Sequence, residues 1–441
     1  CCDVLNSIPF KEYVKVLDEG NCILDIASKQ GEFALAIANL LDNNKIDIDT
    51  FKDKIYSIPT SGVAYEFTRK IYEILGFNID NISSCFYSYD LIQFKQEYNK
   101  EYSYIANILI RNEKFSELQL EENLFTKEGE KMKFDIVVGN PPYQLEGGSG
   151  GNNDAPIYQE FFEVSRKLNP KYISMIIKAG WFSAGRENLL SDFRTEMLSS
   201  NKVEKLVVYP DSSEVFENVT IAGGLCYFVY NNSYNGECNY KLIQNNKVKE
   251  CTRNLNDFDI LIREYELSSI VKKVQEKNQN QKWADEIISN DTPFGISSNL
   301  KMNKNETIKI TKQKEKESDI RICYIQNRKR TSGYIDRNII TKHKEDIDKY
   351  NVFLPGGFGG GDAYYHKIIG TPEYGGLSSV CSQSYLYASF DTEIEAINFM
   401  KYIATKFLRV LVSAIKITQS APSKVYRFVP VLDFSENSNI D

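Results

Sequence analysis

The chain has 441 residues, of which 42% are hydrophobic and 26% charged, and its net charge is −7. This composition is typical of a soluble globular protein with two or three domains, and no apolar run has the length of a transmembrane helix. The chain has two histidines and nine scattered cysteines, with no pair of cysteines in CxxC spacing. These numbers argue against a metal site, a disulfide framework and serine–histidine catalysis, and they favour a reducing cytoplasm.

Short apolar runs alternate with amphipathic stretches through the first 235 residues. The runs that predict buried strands are CILDI (22–26), KIYSI (54–58), CFYSY (85–89), FDIVVG (134–139), YISMIIK (172–178), VEKLVVY (203–209) and GLCYFVY (224–230). Helices are predicted at 31–41, 64–75, 158–168 and 189–198. Such alternation predicts a parallel α/β sheet that binds its ligands at the carboxyl ends of the strands.

The second part of the chain has a different texture. Asparagine and lysine become frequent after about residue 235, and we expect a domain boundary within 235–260. Residues 396–416 have helical spacing with a basic side. Residues 301–344 carry thirteen Lys and Arg against five Asp and Glu, and residues 401–430 carry six and none. A locally basic face of this kind can bind DNA although the whole chain is acidic.

FDIVVGNPPYQ (134–144) is the most informative stretch of the sequence. A buried strand runs into Asn140, Pro141, Pro142 and Tyr143, and the two prolines stiffen the loop that orients Asn140. The Asn140 amide oxygen and the Pro141 carbonyl can accept the N–H groups of an exocyclic amine, and Tyr143 can stack on an extruded base. The plain alternative is a proline-stiffened turn after a core strand.

This stretch resembles the catalytic motif of adenine-N6 DNA methyltransferases of restriction–modification systems. The cofactor motif precedes the catalytic motif and a variable region follows, which resembles their gamma group. Residues 390–434 resemble the tail of large single-chain restriction–modification enzymes. The resemblance implies a Rossmann-like methyltransferase domain at 1–240 with a mostly parallel seven-stranded sheet, and a C-terminal α+β target-recognition domain at 241–441.

The resemblance also implies that a bacterial, cytoplasmic enzyme transfers a methyl group from S-adenosyl-L-methionine to a flipped adenine in double-stranded DNA. ILDIASKQGEF (23–33) resembles the family's cofactor motif, although Lys29-Gln30 stands where a second glycine is common. The implied cofactor-binding residues are Asp25, Ala27, Gly31, Phe33, Thr60 and Asp90. The usual acid for the ribose is missing at Pro59-Thr60, so either Thr60 or a nearby group such as Glu66 replaces it, or the affinity for the cofactor is low. Asp90 has a second interpretation as a helix cap.

Two further groups are expected to contact DNA. EVFENVTIAGGLCYFVY (214–230) resembles the motif that contacts the opposite face of the flipped base, and Phe216 is the candidate beside Tyr143. A core role for Phe216 is the alternative. The expected phosphate contacts are Arg328, Lys329, Arg330, Lys416 and Arg427. We expect the segments 324–337 and 401–427 to line one cleft, with the Asn140 loop at its base.

Two other functions remain open. The same Asn-Pro-Pro-Tyr chemistry can methylate a glutamine side chain, although such an enzyme would not need two basic regions. A DNA-specificity module that has lost cofactor binding is suggested by Lys29-Gln30 and Pro59-Thr60. The sequence has no convincing nuclease pattern, so if this chain belongs to a restriction enzyme, a restriction endonuclease or helicase domain is expected outside it.

Overall fold

The computed structural model describes residues 1–121, 131–145, 155–183, 187–302, 306–358 and 368–437. The chain forms two compact units, Cys1–Ile260 and Leu261–Asp441. The boundary predicted between residues 240 and 241 falls inside a β-hairpin that extends the sheet of the first unit. The first unit therefore continues to residue 260, and the roles assigned to the two units stay predictions.

In the described part of the first unit, eight strands form one mixed sheet in the order β2-β1-β3-β4-β6-β5-β7-β8. They are β1 (Cys22–Ser28), β2 (Ile55–Pro59), β3 (Phe134–Gly139), β4 (Tyr172–Lys178), β5 (Val203–Tyr209), β6 (Leu225–Asn231), β7 (Cys238–Gln244) and β8 (Lys247–Arg253). Strands β6 and β8 run antiparallel to the other six. The predicted, mostly parallel α/β sheet is confirmed, with eight described strands instead of seven.

Helices cover both faces of this sheet. The α-helices of the described part of the first unit are α1 (Cys2–Leu5), α2 (Phe10–Asp18), α3 (Glu32–Asn43), α4 (Gly62–Leu75), α5 (Ser88–Tyr98), α6 (Tyr102–Leu109), α7 (Tyr158–Lys167) and α8 (Glu187–Ser199). One buried cluster joins α1–α4 to Val138 of β3 and Val229 of β6. On the other face, Phe162 of α7 packs edge-on against Phe228 of β6. A sheet buried on both faces leaves the carboxyl ends of its parallel strands as the place for a site.

The strand predicted at 85–89 is wrong. Ile82 forms a single parallel bridge to Ser57, and α5 begins directly after Tyr87. The Tyr87 N–H donates to the Asp90 carboxylate at 2.7 Å, which is the reciprocal contact of a capping box. This local cap fixes a helix start inside a stretch whose aromatic residues favour a strand.

The described part of the second unit contains three small sheets, in the orders β10-β9, β12-β11-β15 and β14-β13-β16. Their strands are β9 (Lys301–Met302), β10 (Glu306–Thr307), β11 (Asp319–Gln326), β12 (Lys329–Asp336), β13 (Tyr350–Pro355), β14 (Glu373–Gly376), β15 (Ser379–Cys381) and β16 (Tyr385–Phe390). The α-helices are α9 (Glu266–Lys277), α10 (Ala284–Ile287), α11 (Glu393–Ile403) and α12 (Lys406–Ser413). This mixture is the α+β architecture that was predicted.

The helical pattern at 396–416 belongs to two helices and not to one. Thr405 lies between α11 and α12, and its hydroxyl accepts the Leu408 N–H at 3.2 Å. An N-cap of this kind starts a new helix. No helix in the described ranges is both long and apolar enough to cross a lipid bilayer.

Candidate functional site

The Asn140 loop follows β3 near the middle of the sheet. A Cβ atom on Gly139 would lie 3.0 Å from Cγ2 of Ile26, so β3 approaches β1 closely at this point. The two strands run parallel, and the loops at their carboxyl ends therefore start side by side. These loops are the predicted catalytic motif and the predicted cofactor motif.

Asn140 and Tyr143 contact each other within the loop. Asn140 is 8% exposed, and the Tyr143 hydroxyl donates to its Oδ1 atom at 3.0 Å. Burial raises the pKa of Tyr143 above its ordinary range, so this hydroxyl stays protonated and remains a donor. An amide oxygen has two lone pairs, and the second one stays available for a substrate N–H group.

The loop is held on both sides of this contact. Pro141 and Pro142 are buried and rigid, and they follow the last residue of a buried strand. Beyond them, the Tyr143 carbonyl accepts the Ile157 N–H at 3.2 Å, and Gln144 forms a bridge to Pro156. Asn140 is therefore held in place before any substrate arrives.

The β1–α3 turn is tied to α4 by hydrogen bonds. Gly31 has a φ of +70°, and its N–H donates to the Ser28 hydroxyl at 3.2 Å. The Ser28 and Thr68 hydroxyls are 3.0 Å apart and fully buried. A Cβ atom on Gly31 would lie 3.0 Å from Cβ of Ile71. The left-handed backbone and this close approach together require glycine at position 31.

Gly31→Ala should therefore lower the free energy of unfolding by more than the roughly 1 kcal/mol that a left-handed backbone alone costs an alanine. Gly20→Ala is the matched control, because Gly20 has a φ of +72° with nothing within 4 Å of its Cβ position. Denaturant unfolding of both variants measures the difference, which reports the contact with Ile71. Equal destabilisation of the two variants would contradict a tight turn at Gly31.

Asp25 has a carboxylate oxygen without a hydrogen bond. The side chain is 2% exposed, its Oδ1 accepts the Ala27 N–H at 3.2 Å, and its Oδ2 makes no hydrogen bond of ordinary geometry to the described residues. Burial, with the charge of Glu32, raises the pKa of Asp25 well above its usual range. An orphan acceptor of this kind fits a cationic or N–H donor group of a ligand. Phe33 is fully buried in the core of α3, which gives it a packing role.

The candidates for the ribose differ in how far they are engaged elsewhere. The Thr60 N–H donates to the Ser28 carbonyl at 2.9 Å, which ties the ends of β1 and β2 together. Glu66 is exposed and forms an ion pair of 2.8 Å with Arg69 on the surface of α4. Thr60 thus lies beside the glycine turn, whereas the Glu66 carboxylate already has a partner.

Asp90 has the capping role that the sequence left open. Its carboxylate accepts the Tyr87 N–H, and it also lines a cavity of about 550 Å³ with Phe86 and Phe94. Pockets of this size hold drug-sized ligands. A contact between Asp90 and a cofactor stays a prediction. Phe216 is partly buried and packs against the core cluster, which is its alternative role.

The sequence did not identify Lys29 as a site residue. Its ammonium lies 5.9 Å from the centroid of the Tyr143 ring, so it connects the cofactor loop to the catalytic loop. The only signal in the sequence is a charged residue where the family commonly has glycine. The contact joins two loops that follow different strands, and local sequence patterns do not report it.

In the second unit, the predicted basic tripeptide forms the tip of the β11–β12 hairpin. Arg328, Lys329 and Arg330 are exposed, and Asn327 and Arg328 have left-handed φ values of 51° and 62°. Two such residues in succession are typical of the tight turn of a two-residue hairpin. Three cations thus lie at one end of a β-ribbon, a shape that fits a groove of DNA. The Arg330 guanidinium also donates to the Thr371 carbonyl at 2.6 Å.

The other basic segment is less exposed than was predicted. The Lys416 ammonium donates to the Phe358 carbonyl at 2.8 Å, and burial lowers the pKa of Lys416. Arg427 is half-buried over the Phe428 ring, and Tyr426 is 1% exposed. Phe407 is 45% exposed. Phosphate contacts of this segment, and a cleft that it shares with the Asn140 loop, stay predictions.

Residues 33–216 match the family model of the Eco57I restriction-modification methylase. A Mycoplasma pneumoniae protein named "Uncharacterized adenine-specific methylase" is 39% identical over 118 residues, which are 26% of this chain and 28% of that protein. The structure of the type IIL restriction-modification enzyme MmeI in complex with DNA is similar to this chain, with a TM-score of 0.49 and 9% identity. The similarity covers 94% of this chain and 61% of the MmeI chain. A second similar structure is a nuclease-deletion mutant of the type ISP restriction-modification enzyme LlaGI in complex with a DNA substrate mimic, with a TM-score of 0.48 and 11% identity. The similarity covers 92% of this chain and 43% of the LlaGI chain.

These matches cover less than two thirds of the length of each relative, from 28% to 61%. The matched residues extend from the start of α3 to just beyond β5, and they include β3 and the Asn140 loop. Residues 33–216 are therefore similar to the Eco57I restriction-modification methylase family.

Proposed function

We propose that the chain is an S-adenosyl-L-methionine-dependent DNA methyltransferase that modifies the exocyclic amine of adenine within a restriction–modification system. The observation that carries this proposal is the Asn140 loop at the end of β3, beside the glycine turn that follows β1. The match of residues 33–216 to a restriction-modification methylase family supports it. The name of the Mycoplasma pneumoniae relative supports adenine as the target.

The reaction requires that a poor nucleophile be made reactive. The lone pair of the adenine amine is delocalised into the ring, so the amine must become more tetrahedral before it attacks a methyl group. The two N–H groups of the adenine amine donate hydrogen bonds to the free lone pair of Asn140 Oδ1 and to the Pro141 carbonyl, both on one side of the amine. This arrangement stabilises the tetrahedral amine in the transition state, because both acceptors are fixed in advance. The amine proton leaves after attack and needs no strong base at the site.

The target base has to leave the duplex to reach Asn140. The Tyr143 ring belongs to the same stiff loop and stacks on the extruded base. Stacking of a base on an aromatic side chain contributes about 1–3 kcal/mol. Phe216 is proposed for the opposite face of the base.

The described residues fit the proposed cofactor. S-adenosyl-L-methionine, when bound, supplies the methyl group on its sulfonium. Among the described residues the Asp25 Oδ2 atom accepts no hydrogen bond of ordinary geometry, and the left-handed backbone of Gly31 forms the tight turn that follows β1. Ala27, Thr60 and Asp90 are the further residues proposed to line this site. A restriction endonuclease or helicase is proposed to act from outside the chain.

A nucleoside assay tests the proposed function. The protein is incubated with duplex DNA of mixed sequence and S-adenosyl-L-methionine labelled in its methyl group, and the digested DNA is analysed by mass spectrometry. We expect the label in N6-methyladenine. Label in a glutamine side chain of a co-incubated protein extract would favour the amide methyltransferase, and a protein that binds DNA without binding the cofactor would favour the degenerate specificity module.

The hairpin tip is proposed to contact DNA phosphates. Replacing Arg328, Lys329 and Arg330 together by alanine should weaken DNA binding and reduce its salt slope by about one for each phosphate contact that is lost. Cofactor affinity should not change. Fluorescence anisotropy over a series of salt concentrations measures both the affinity and the slope.

A triple alanine variant of Lys273, Lys277 and Lys282 is the matched control, because these exposed lysines lie in the same unit but outside both basic segments. It loses the same charge and should keep most of its DNA affinity. If both triple variants weaken binding equally, the hairpin tip has no specific role in the interface.

A further inference from the structure

Lys29 occupies the turn between β1 and α3, where the proposed mechanism has no use for a cation. Its side chain is partly buried, and its ammonium lies 5.9 Å from the centroid of the Tyr143 ring. At that distance, close to the limit of about 6 Å, a cation–π contact is weak. The contact with Tyr143 therefore does not compensate for the water that the ammonium loses on burial.

The acids of the turn do not supply the missing partner. The Glu32 carboxylate accepts the backbone N–H groups of Lys29 and Gln30, at 3.2 Å and 2.7 Å. The charges of Glu32 and, to a smaller degree, Asp25 act on the Lys29 ammonium, but among the described residues no carboxylate forms an ion pair with that ammonium. Burial lowers the pKa of Lys29, because the ammonium loses water and gains no ion-pair partner in exchange. The turn thus contains a buried acid and a half-buried base, each with unused hydrogen-bonding capacity.

This pair has the charges that recognise a free amino acid end. The Asp25 oxygen can accept from an α-ammonium, and the Lys29 ammonium can donate to an α-carboxylate. The methionine end of S-adenosyl-L-methionine carries both groups. A cation near a sulfonium is repulsive unless an anion lies beside it, and the carboxylate of the same cofactor is such an anion.

We propose that Lys29 binds the α-carboxylate of the methionine end of S-adenosyl-L-methionine, while Asp25 holds the α-ammonium. This inference rests on the proposed function. It gives a role to the residue that departs from the glycine common in the family. It also explains how the cofactor end and the Asn140 loop are connected, because the same ammonium borders the Tyr143 ring.

Two ligands that differ in this end test the assignment by isothermal titration calorimetry. S-adenosylhomocysteine has the amino acid end, and 5′-methylthioadenosine lacks it. Lys29→Met should weaken S-adenosylhomocysteine binding about tenfold or more, because a charged hydrogen bond is lost. It should leave 5′-methylthioadenosine affinity within about twofold, since that ligand has no carboxylate for Lys29 to bind. Lys29→Arg should restore part of the lost affinity.

Lys70→Met on α4 is the control, because Lys70 is exposed and paired with Glu73. Unchanged S-adenosylhomocysteine affinity in Lys29→Met overturns the assignment, and so does an equal loss for both ligands, which indicates a structural role. A loss of DNA affinity with normal S-adenosylhomocysteine affinity overturns it in favour of a phosphate contact. If the unmodified protein binds neither ligand, the proposed function fails together with the Lys29 assignment. If the unmodified protein binds S-adenosylhomocysteine and only the result for Lys29→Met differs from expectation, the Lys29 assignment fails alone.

Discussion

Asn140→Ala is expected to lower the rate of methyl transfer to DNA by at least about a hundredfold, the usual cost of removing one preorganised polar group from a transition state. Asn140 Oδ1 is the acceptor that the proposed mechanism uses for the adenine amine, and its contact with the amine strengthens as the nitrogen becomes tetrahedral. Such an interaction lowers the rate much more than the affinity. Single-turnover methylation with excess enzyme measures the chemical step.

Tyr143→Phe is the matched control for this variant. It removes the 3.0 Å hydrogen bond to Asn140 Oδ1 and keeps the aromatic ring. The net loss of about 1 kcal/mol for one hydrogen bond predicts a rate that falls only severalfold. Affinities for S-adenosylhomocysteine and DNA should stay close to those of the unmodified protein in both variants. A rate for Asn140→Ala similar to that of Tyr143→Phe would contradict a role of Asn140 in the transition state.

Asp25→Asn should have two opposite effects. It should weaken S-adenosylhomocysteine binding at least about tenfold, because a charged acceptor for the α-ammonium is lost. It should also stabilise the unliganded protein at neutral pH, because the buried Asp25 Oδ2 atom accepts no hydrogen bond of ordinary geometry from the described residues. Calorimetry measures the first effect and the thermal unfolding temperature measures the second.

The pH dependence follows from the raised pKa of Asp25. The folded-state pKa lies above the unfolded one, so the folded protein loses stability as the pH rises from the ordinary carboxyl range to the raised value. Above both values the loss is constant. Asp25→Asn removes this fall in stability. The variant should therefore have the same unfolding temperature as the unmodified protein in acid and a higher one as the pH rises.

Asp135→Asn is the control at the opposite end of β3. Asp135 is 6% exposed, and its Oδ2 atom accepts from Asn21 at 2.6 Å. Its Oδ1 atom makes no hydrogen bond of ordinary geometry to the described residues but, unlike Asp25 Oδ2, lies in an ion pair of 2.8 Å with Lys133. This variant should lose stability and keep its S-adenosylhomocysteine affinity. If Asp25→Asn behaves in the same way, the Asp25 carboxylate does not bind the cofactor.

The sequence predicted most of the first unit because buried strands and amphipathic helices have clear periodicities. FDIVVG (134–139) is buried at every position, and its strand was predicted with the observed bounds. The stretch 85–89 misled because its aromatic residues favour a strand, whereas the capping contact between Tyr87 and Asp90 starts a helix. The hairpin at 238–253 lies where the amphipathic alternation fades, and the sequence therefore did not indicate that it extends the sheet.

The site was predictable where function depends on one continuous segment. Asn140, Pro141, Pro142 and Tyr143 are consecutive, so their pattern is visible without a structure. How separate loops pack together determines the contact between Lys29 and Tyr143. It also determines that Asp25 Oδ2 accepts no hydrogen bond of ordinary geometry from the described residues. No local pattern encodes such contacts. The buried states of Lys416 and Tyr426 are tertiary properties for the same reason.

Sequencing that detects modified bases in bacterial DNA tests adenine methylation most directly. DNA is taken from cells that express the chain and from cells that express Asn140→Ala at the same level. We predict N6-methyladenine at one short recurring sequence in the first DNA and none above background at that sequence in the second. Modified adenines at equal levels in both, or no modified adenine beyond that of cells without the protein, would contradict the proposed function.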